Sequence, residues 1–103
     1  DCAAYCAATA AVTHLCRVAA LEGAQLDPPV RVNSLNPGVI WTEMITSAYG
    51  ESDAVRAFTI DGNALQRVGE AEDVASAAAF LAGPASRLVT GTAMVLDGGR
   101  GAD

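Results

Sequence analysis

The chain has no lysine. Its six basic residues are all arginine, scattered from Arg17 to Arg100 against twelve acids, for a formal charge of −6. An acidic chain without a basic cluster does not present a nucleic-acid surface. No apolar run approaches the roughly 18 residues that cross a bilayer, so no membrane span is expected. No basic stretch precedes an apolar one near the N-terminus, so no signal peptide is expected either. The sequence begins at Asp1 rather than at methionine, which implies a removed leader or a part of something longer. The three cysteines, Cys2, Cys6 and Cys16, are an odd number within one predicted helix, which points to a reduced, cytoplasmic compartment. A glycine loop of the form Gly-x-Gly-x-x-Gly is absent. Gly98-Gly99-Arg100-Gly101 follows a strand pattern, but its spacing is wrong and no helix pattern comes after it.

Half of the residues are hydrophobic (51%) and few are charged (17%), so disorder is excluded and a packed core is within reach of the composition. At 103 residues the chain has room for one domain at most. Residues 3–22 are rich in alanine and free of Pro and Gly, predicting a long helix whose Tyr5, Val12, Leu15, Val18 and Leu21 recur near helical spacing. Gly23 offers its stop. Residues 43–65 have no clean period, mixing apolar Met44, Ile45, Tyr49, Val55, Phe58 and Ile60 with glycines and acids. Such a connection is a binding lid with short helices, or an irregular packing segment. Glu70, Glu72 and Asp73 mark the start of a second helix on a solvated face, with Val74, Ala77, Ala78, Phe80 and Leu81 as its apolar side and Gly83-Pro84 as its stop. Residues 90–96 then read as a buried strand, ended by Asp97-Gly98-Gly99.

Between the two helices, Val30, Val32 and Leu35 form a β-favouring run that Asn36-Pro37-Gly38 interrupts. Ligands of open α/β sheets sit just beyond the carboxyl ends of strands. Val39, Ile40, Trp41 and Thr42 therefore line a pocket floor, with a hydroxyl from Thr42 and a backbone donor and acceptor from Ile40. Helix, strand, long crossover and strand is the grammar of a parallel sheet. The fold class is α/β, an incomplete doubly wound (Rossmann-like) parallel sheet with two strands and covering helices. Cys2 and Cys6 lie one turn apart, but His14 falls off their face and no fourth ligand is near, so no metal site is expected. The cysteines read as buried small hydrophobes, and His14 as a polar-face or interface residue.

Five stretches in order carry a resemblance: Tyr5-Cys-Ala-Ala-Thr9-Ala-Ala-Val12, Arg31-Val-Asn-Ser-Leu-Asn-Pro-Gly38, Gly38-Val-Ile-Trp-Thr42, Leu65-Gln-Arg-Val-Gly-Glu70 with Asp73-Val-Ala75, and Thr90-Gly91 through Asp97-Gly-Gly99. Together they resemble the C-terminal half of the short-chain dehydrogenase/reductase family. The resemblance implies that residues 1–103 are the C-terminal part of one Rossmann-like oxidoreductase domain whose glycine-loop half lies outside this chain. It implies hydride transfer between NAD or NADP and a small alcohol or carbonyl substrate, in a homo-oligomer (dimer or tetramer) or beside a complementing N-terminal half. Pro37-Gly38, after Asn36, and the Ile40 backbone would hold the nicotinamide amide. Thr42 would bond the carboxamide or phosphate. Trp41, Met44, Ile45, Tyr49 and Phe58 would belong to the substrate lid, Trp41 having surface packing as its alternative. The strand end at Asp97-Gly98-Gly99 would close the sheet and support subunit contacts.

Tyr5 would be the general acid/base, or else a tyrosine packing a helix against the sheet. The family places a lysine four residues after it, and this chain has Thr9 there. One helical turn puts both side chains on one face. A phenol near pKa 10 is poorly matched to neutral pH, and a neighbouring ammonium corrects that. At about 4 Å and an effective dielectric of about 20 the charge contributes about 4 kcal/mol, about three pK units. Thr9 contacts a ribose hydroxyl or is a plain helix-face residue, and supplies no such field. A non-catalytic family remnant acting as an association or regulatory scaffold is the alternative function. In a chain that also carries the family's remaining parts, Thr9→Lys should raise turnover; unchanged turnover would mean that Tyr5 is not an acid/base.

Overall fold

The structure is a computed structural model that describes residues 2–102. In chain order it contains α1 (Ala3–Gly23), β1 (Ser34–Pro37), α2 (Glu43–Tyr49), α3 (Asp53–Ile60), α4 (Ala71–Ala82), a 3₁₀ turn (Pro84–Ser86) and β2 (Ala93–Leu96). The two strands form a parallel sheet. The chain divides into two compact units. One takes in the residues up to Ser34 with Phe80–Met94, the other Leu35–Ala79 with the residues from Val95 onward.

In the first unit α1 ends where Gly23 accepts a hydrogen bond from the Val30 amide at 2.9 Å. The segment after it is tied down by side chains. Asn33 donates to the Val89 carbonyl at 3.1 Å and accepts from the Thr92 amide at 3.1 Å. Arg31 donates to the carbonyls of Leu81 (2.7 Å), Val89 (3.0 Å) and Gly83 (3.4 Å). The fully buried Ser86 hydroxyl is within reach of the same Leu81 and Gly83 carbonyls, at 2.8 and 3.0 Å. Carbonyls at a helix C-terminus lack intrahelical partners and carry partial negative charge, so a guanidinium there satisfies both needs.

The strand expected over Val30–Leu35 is displaced. β1 begins at Ser34 and runs through Asn36 and Pro37, the residues read as its interruption. Backbone alternation explains why proline is tolerated. The amides of Ser34 and Gly38 donate to Thr92 and Leu96 of the β2 side at 3.0 and 3.1 Å. Even-numbered amides therefore face β2, and the missing N–H of Pro37 falls on the opposite edge. Likewise β2 starts at Ala93 rather than Thr90, and it is half-buried instead of buried, with Val95 exposed.

The expected core is mostly absent among the described residues. Only Ala20 and Val68 are buried hydrophobics. The stripe on α1 faces solvent, Tyr5 being 74% exposed and Leu21 71%, while Ala20 and Gly23 are its buried positions. Phe80 is also exposed. A two-stranded sheet has too little face to cover the apolar sides of long helices. Cys2 and Cys6 are exposed and Cys16 is half-buried, so the cysteines are not core hydrophobes. By length and composition α1 is apolar enough to cross a membrane, contrary to the expectation from uninterrupted runs. Its alanines raise the average, whereas Thr9, Thr13, His14 and Arg17 break every run.

Because Arg31 serves three carbonyls at once, Arg31→Met should lower stability to urea by about 1–3 kcal/mol. Arg31→Lys should recover only part of this, since a point charge cannot span the three acceptors. An unchanged urea midpoint for Arg31→Met would remove the cap from the account of stability.

Candidate functional site

Tyr5 and Thr9 occupy the first turns of α1 in the first unit. The Thr9 hydroxyl donates to the Tyr5 carbonyl at 2.9 Å, and a hydroxyl bonded back to its own helix retains acceptor capacity. Tyr5 presents its ring to solvent. No cation stands four residues on, where the family pattern has one.

The strand-end residues belong to the second unit, apart from that pair in the sequence but close to one another. Gly38 lies so near the end of β2 that an added Cβ would come within 2.8 Å of both Cα and Cβ of Asp97. Only glycine permits that approach. Beyond it, Ile40 and Gly69 form an isolated parallel bridge. The Gly69 amide donates to Val39 at 3.1 Å, and the Trp41 amide donates to Gly69 at 2.7 Å. A parallel bridge uses the peptide groups flanking the central residue. The amide and carbonyl of Ile40 itself thus point the other way, and neither has a hydrogen-bond partner among the described residues. Thr42 is next, in extended conformation at the N-cap of α2, yet its hydroxyl makes no bond to the helix amides. N-cap threonines ordinarily spend their oxygen there. Among the described residues, one free donor, one free acceptor and one free hydroxyl therefore lie within the three residues Ile40–Thr42 after β1.

Residues 43–65 contain the two short helices α2 and α3. Beneath them is a cavity of about 390 Å³ lined by Val39, Ile45, Tyr49, Val55, Phe58 and Arg100, among others. Three of the expected lid residues, Ile45, Tyr49 and Phe58, line it. Trp41 and Met44 do not. Met44 is 80% exposed, and Trp41 serves as an anchor: the Arg56 guanidinium lies 4.9 Å from its ring centroid and bonds the Glu70 carboxylate at 2.8 Å. Cation–π attraction and an ion pair thereby tie α3 to residues on both sides of the segment. A second cavity, of about 470 Å³, is bordered by Ile40, Leu65, Val95 and Gly98.

Sequence reasoning assigned Asn63 no role. It is buried, donates to the Arg67 carbonyl at 2.7 Å and accepts from the Leu65 amide at 2.9 Å. That amide also donates to Gly98, at 3.1 Å. Gly62-Asn63 reads locally as a turn, and nothing in it signals the distant Gly98. Arg100 was likewise missed, its Gly-Gly-Arg-Gly setting being read only as a failed phosphate loop. Two of the acids at the start of α4, Glu70 and Asp73, are held in ion pairs with arginines. Arg67 donates to both oxygens of Asp73 at 2.8 Å, and the Glu70 amide donates to it at 2.9 Å. Arg67 chiefly, with that amide, holds the Asp73 carboxyl well below the usual carboxylate range.

Comparison with known proteins places this geometry in a family. Residues 1–100 match the family model described as enoyl-(acyl carrier protein) reductase. The chain belongs to the short-chain dehydrogenase/reductase family. It is 41% identical over 97 residues to an uncharacterised oxidoreductase of Mycobacterium tuberculosis, covering 94% of this chain and 35% of that protein. It is also 41% identical over 95 residues to a galactitol 2-dehydrogenase (L-tagatose-forming) of Cereibacter sphaeroides, covering 92% and 36%. A solved 4-hydroxyisoleucine dehydrogenase mutant, complexed with NADH and succinate, superposes with a TM-score of 0.83 at 35% identity, over 98% of this chain and 40% of that one. The chain thus spans little more than a third of the length of the curated relatives it matches.

The contacts of Arg56 lead to a direct expectation. Arg56→Ala should raise amide hydrogen exchange across α3 by several-fold, because it removes both ties at once, while exchange in α1 stays unchanged. Equal protection of α3 in both proteins would show that the ties do not hold the segment.

Proposed function

We propose that the chain is the C-terminal part of an NAD- or NADP-dependent oxidoreductase that transfers hydride between the nicotinamide and a small alcohol or carbonyl substrate. The observation that carries this reading is the unpaired amide and carbonyl of Ile40 beside the free hydroxyl of Thr42. A carboxamide presents one acceptor and two donors, which this set complements. Asn36, Pro37 and Gly38 bring the backbone to that position. The cofactor, when bound, supplies or takes the hydride.

The residues of this chain do the remaining work. Ile40 and Thr42 orient the carboxamide, and Ile45, Tyr49 and Phe58 exclude water over the substrate, with Met44 at the outer face of the lid and Trp41 as its anchor. The Tyr5 phenol gives a proton to the forming alkoxide, or takes one in reverse. Thr9 contributes a hydrogen bond but no charge, so this chain's tyrosine lacks the lysine's field, and weak or absent turnover is expected of it. The reading extends to a homo-oligomer, dimer or tetramer, or to pairing with an N-terminal half that supplies the glycine loop, in the cytoplasm.

Titration with NADH, followed by its fluorescence, tests the proposal. The wild-type chain should shift the emission, and Thr42→Val should weaken binding about fivefold, the effect of one lost hydrogen bond. No shift at millimolar cofactor would favour the scaffold function instead.

A further inference from the structure

The cavity beneath α2 and α3 is lined chiefly by apolar side chains and opens to solvent where Tyr49 and Phe58 are exposed. Val39, Ile45, Ala54, Val55 and Phe58 wall it. Of its polar members, the Thr59 hydroxyl is committed to the Arg56 carbonyl at 2.7 Å. Among the described residues no carboxylate lines it, and Arg100 is the only formal charge there. Arg100 is solvent-exposed and stands at the rim of the cavity. The other two arginines of this unit have carboxylate partners: Arg56 pairs with Glu70, and Arg67 with Asp73. Arg100 pairs with no carboxylate among the described residues. Among the described residues the nearest acid in sequence, Asp97, is spent on the turn itself, accepting from the Gly99 and Gly101 amides at 2.9 Å each. That turn, closed further by the Arg100 amide to the Asp97 carbonyl at 3.3 Å, sets the position from which Arg100 reaches the cavity.

We propose that this cavity binds a small apolar molecule carrying one carboxylate, with the Arg100 guanidinium as the partner of the anion. A volume of about 390 Å³ falls at the lower end of the roughly 300–1,000 Å³ typical of small-molecule sites. Guanidinium and carboxylate match as a planar pair. In a chain of net charge −6 an anion is repelled generally, and Arg100 is the cation that lines this cavity to offset that repulsion. The inference rests on the reading of residues 43–65 as a substrate lid, and it specifies the substrate as an acid bearing the alcohol or carbonyl rather than a neutral alcohol.

Calorimetric titration of the chain with hexanoate and with 1-hexanol separates charge from apolar bulk. Hexanoate should bind at least about tenfold more tightly than hexanol. Arg100→Gln should abolish that preference while leaving hexanol affinity unchanged, which also reports that the cavity is intact. Arg100→Lys should retain part of the preference. Equal binding of the two ligands by the wild type, a preference that survives Arg100→Gln, or no binding of either would overturn the proposal. The NADH titration on the same sample keeps the two readings apart. A cofactor shift without hexanoate preference removes the acid site alone, and hexanoate preference without a cofactor shift removes the oxidoreductase function alone.

Discussion

Peptide groups alternate in direction along an extended chain, and at Val39, Ile40 and Trp41 that alternation decides what the strand end can offer a ligand. Gly69 takes up the outward groups of Val39 and Trp41, which leaves the groups of Ile40 directed away from the bridge and free. The bridge in turn depends on Gly38, whose missing Cβ lets the chain come close to Asp97 before it turns. A bulkier residue there would push the strand end outward and carry Ile40 and Thr42 with it. The same rule of alternation allows Pro37 inside β1, since its missing donor falls on the edge away from β2. Two residues that look like interruptions are thus the ones that bring the site into register.

Arginine does most of the fastening in this lysine-free chain. Arg31 spans three carbonyls, Arg67 grips Asp73 through two parallel bonds, and Arg56 faces an indole on one side and a carboxylate on the other. Each use needs the planar, multi-donor geometry that an ammonium lacks. The exposed pairs are individually weak in water, so their effect is to choose among conformations of residues 43–65 more than to hold the unit together. Asn63, buried and bonded in several directions, is the firmer tie. Arg100 differs from Arg56 and Arg67 in pairing with no carboxylate among the described residues, Asp97 being consumed by backbone amides.

The unburied apolar stripe on α1 has an energetic consequence. At about 25 cal/mol per Å², side chains left in water contribute little to stability, so α1 relies on alanine's helix propensity and on the bonds at its C-terminal end. The family relationship and the fold neighbours are nonetheless clear, because they rest on element order and backbone path rather than on how completely those side chains are covered.

Local signals in the sequence determined a good deal. Alanine content specified α1, the acids and Gly83-Pro84 bounded α4, and irregular periodicity marked the two-helix segment between. The ordered motifs from Tyr5 to Gly99 identified the family, and Ile45, Tyr49 and Phe58 were legible as cavity lining. Each of these depends on neighbours within a few residues. Only the tertiary structure decided the register of β1, the freedom of the Ile40 peptide groups, the burial of Asn63 against Gly98, and the setting of Arg100. It also decided that α1's apolar stripe would face solvent. Those outcomes turn on which chain segment lies opposite, and a hydrogen bond between residues tens of positions apart leaves no periodicity in the sequence that forms it.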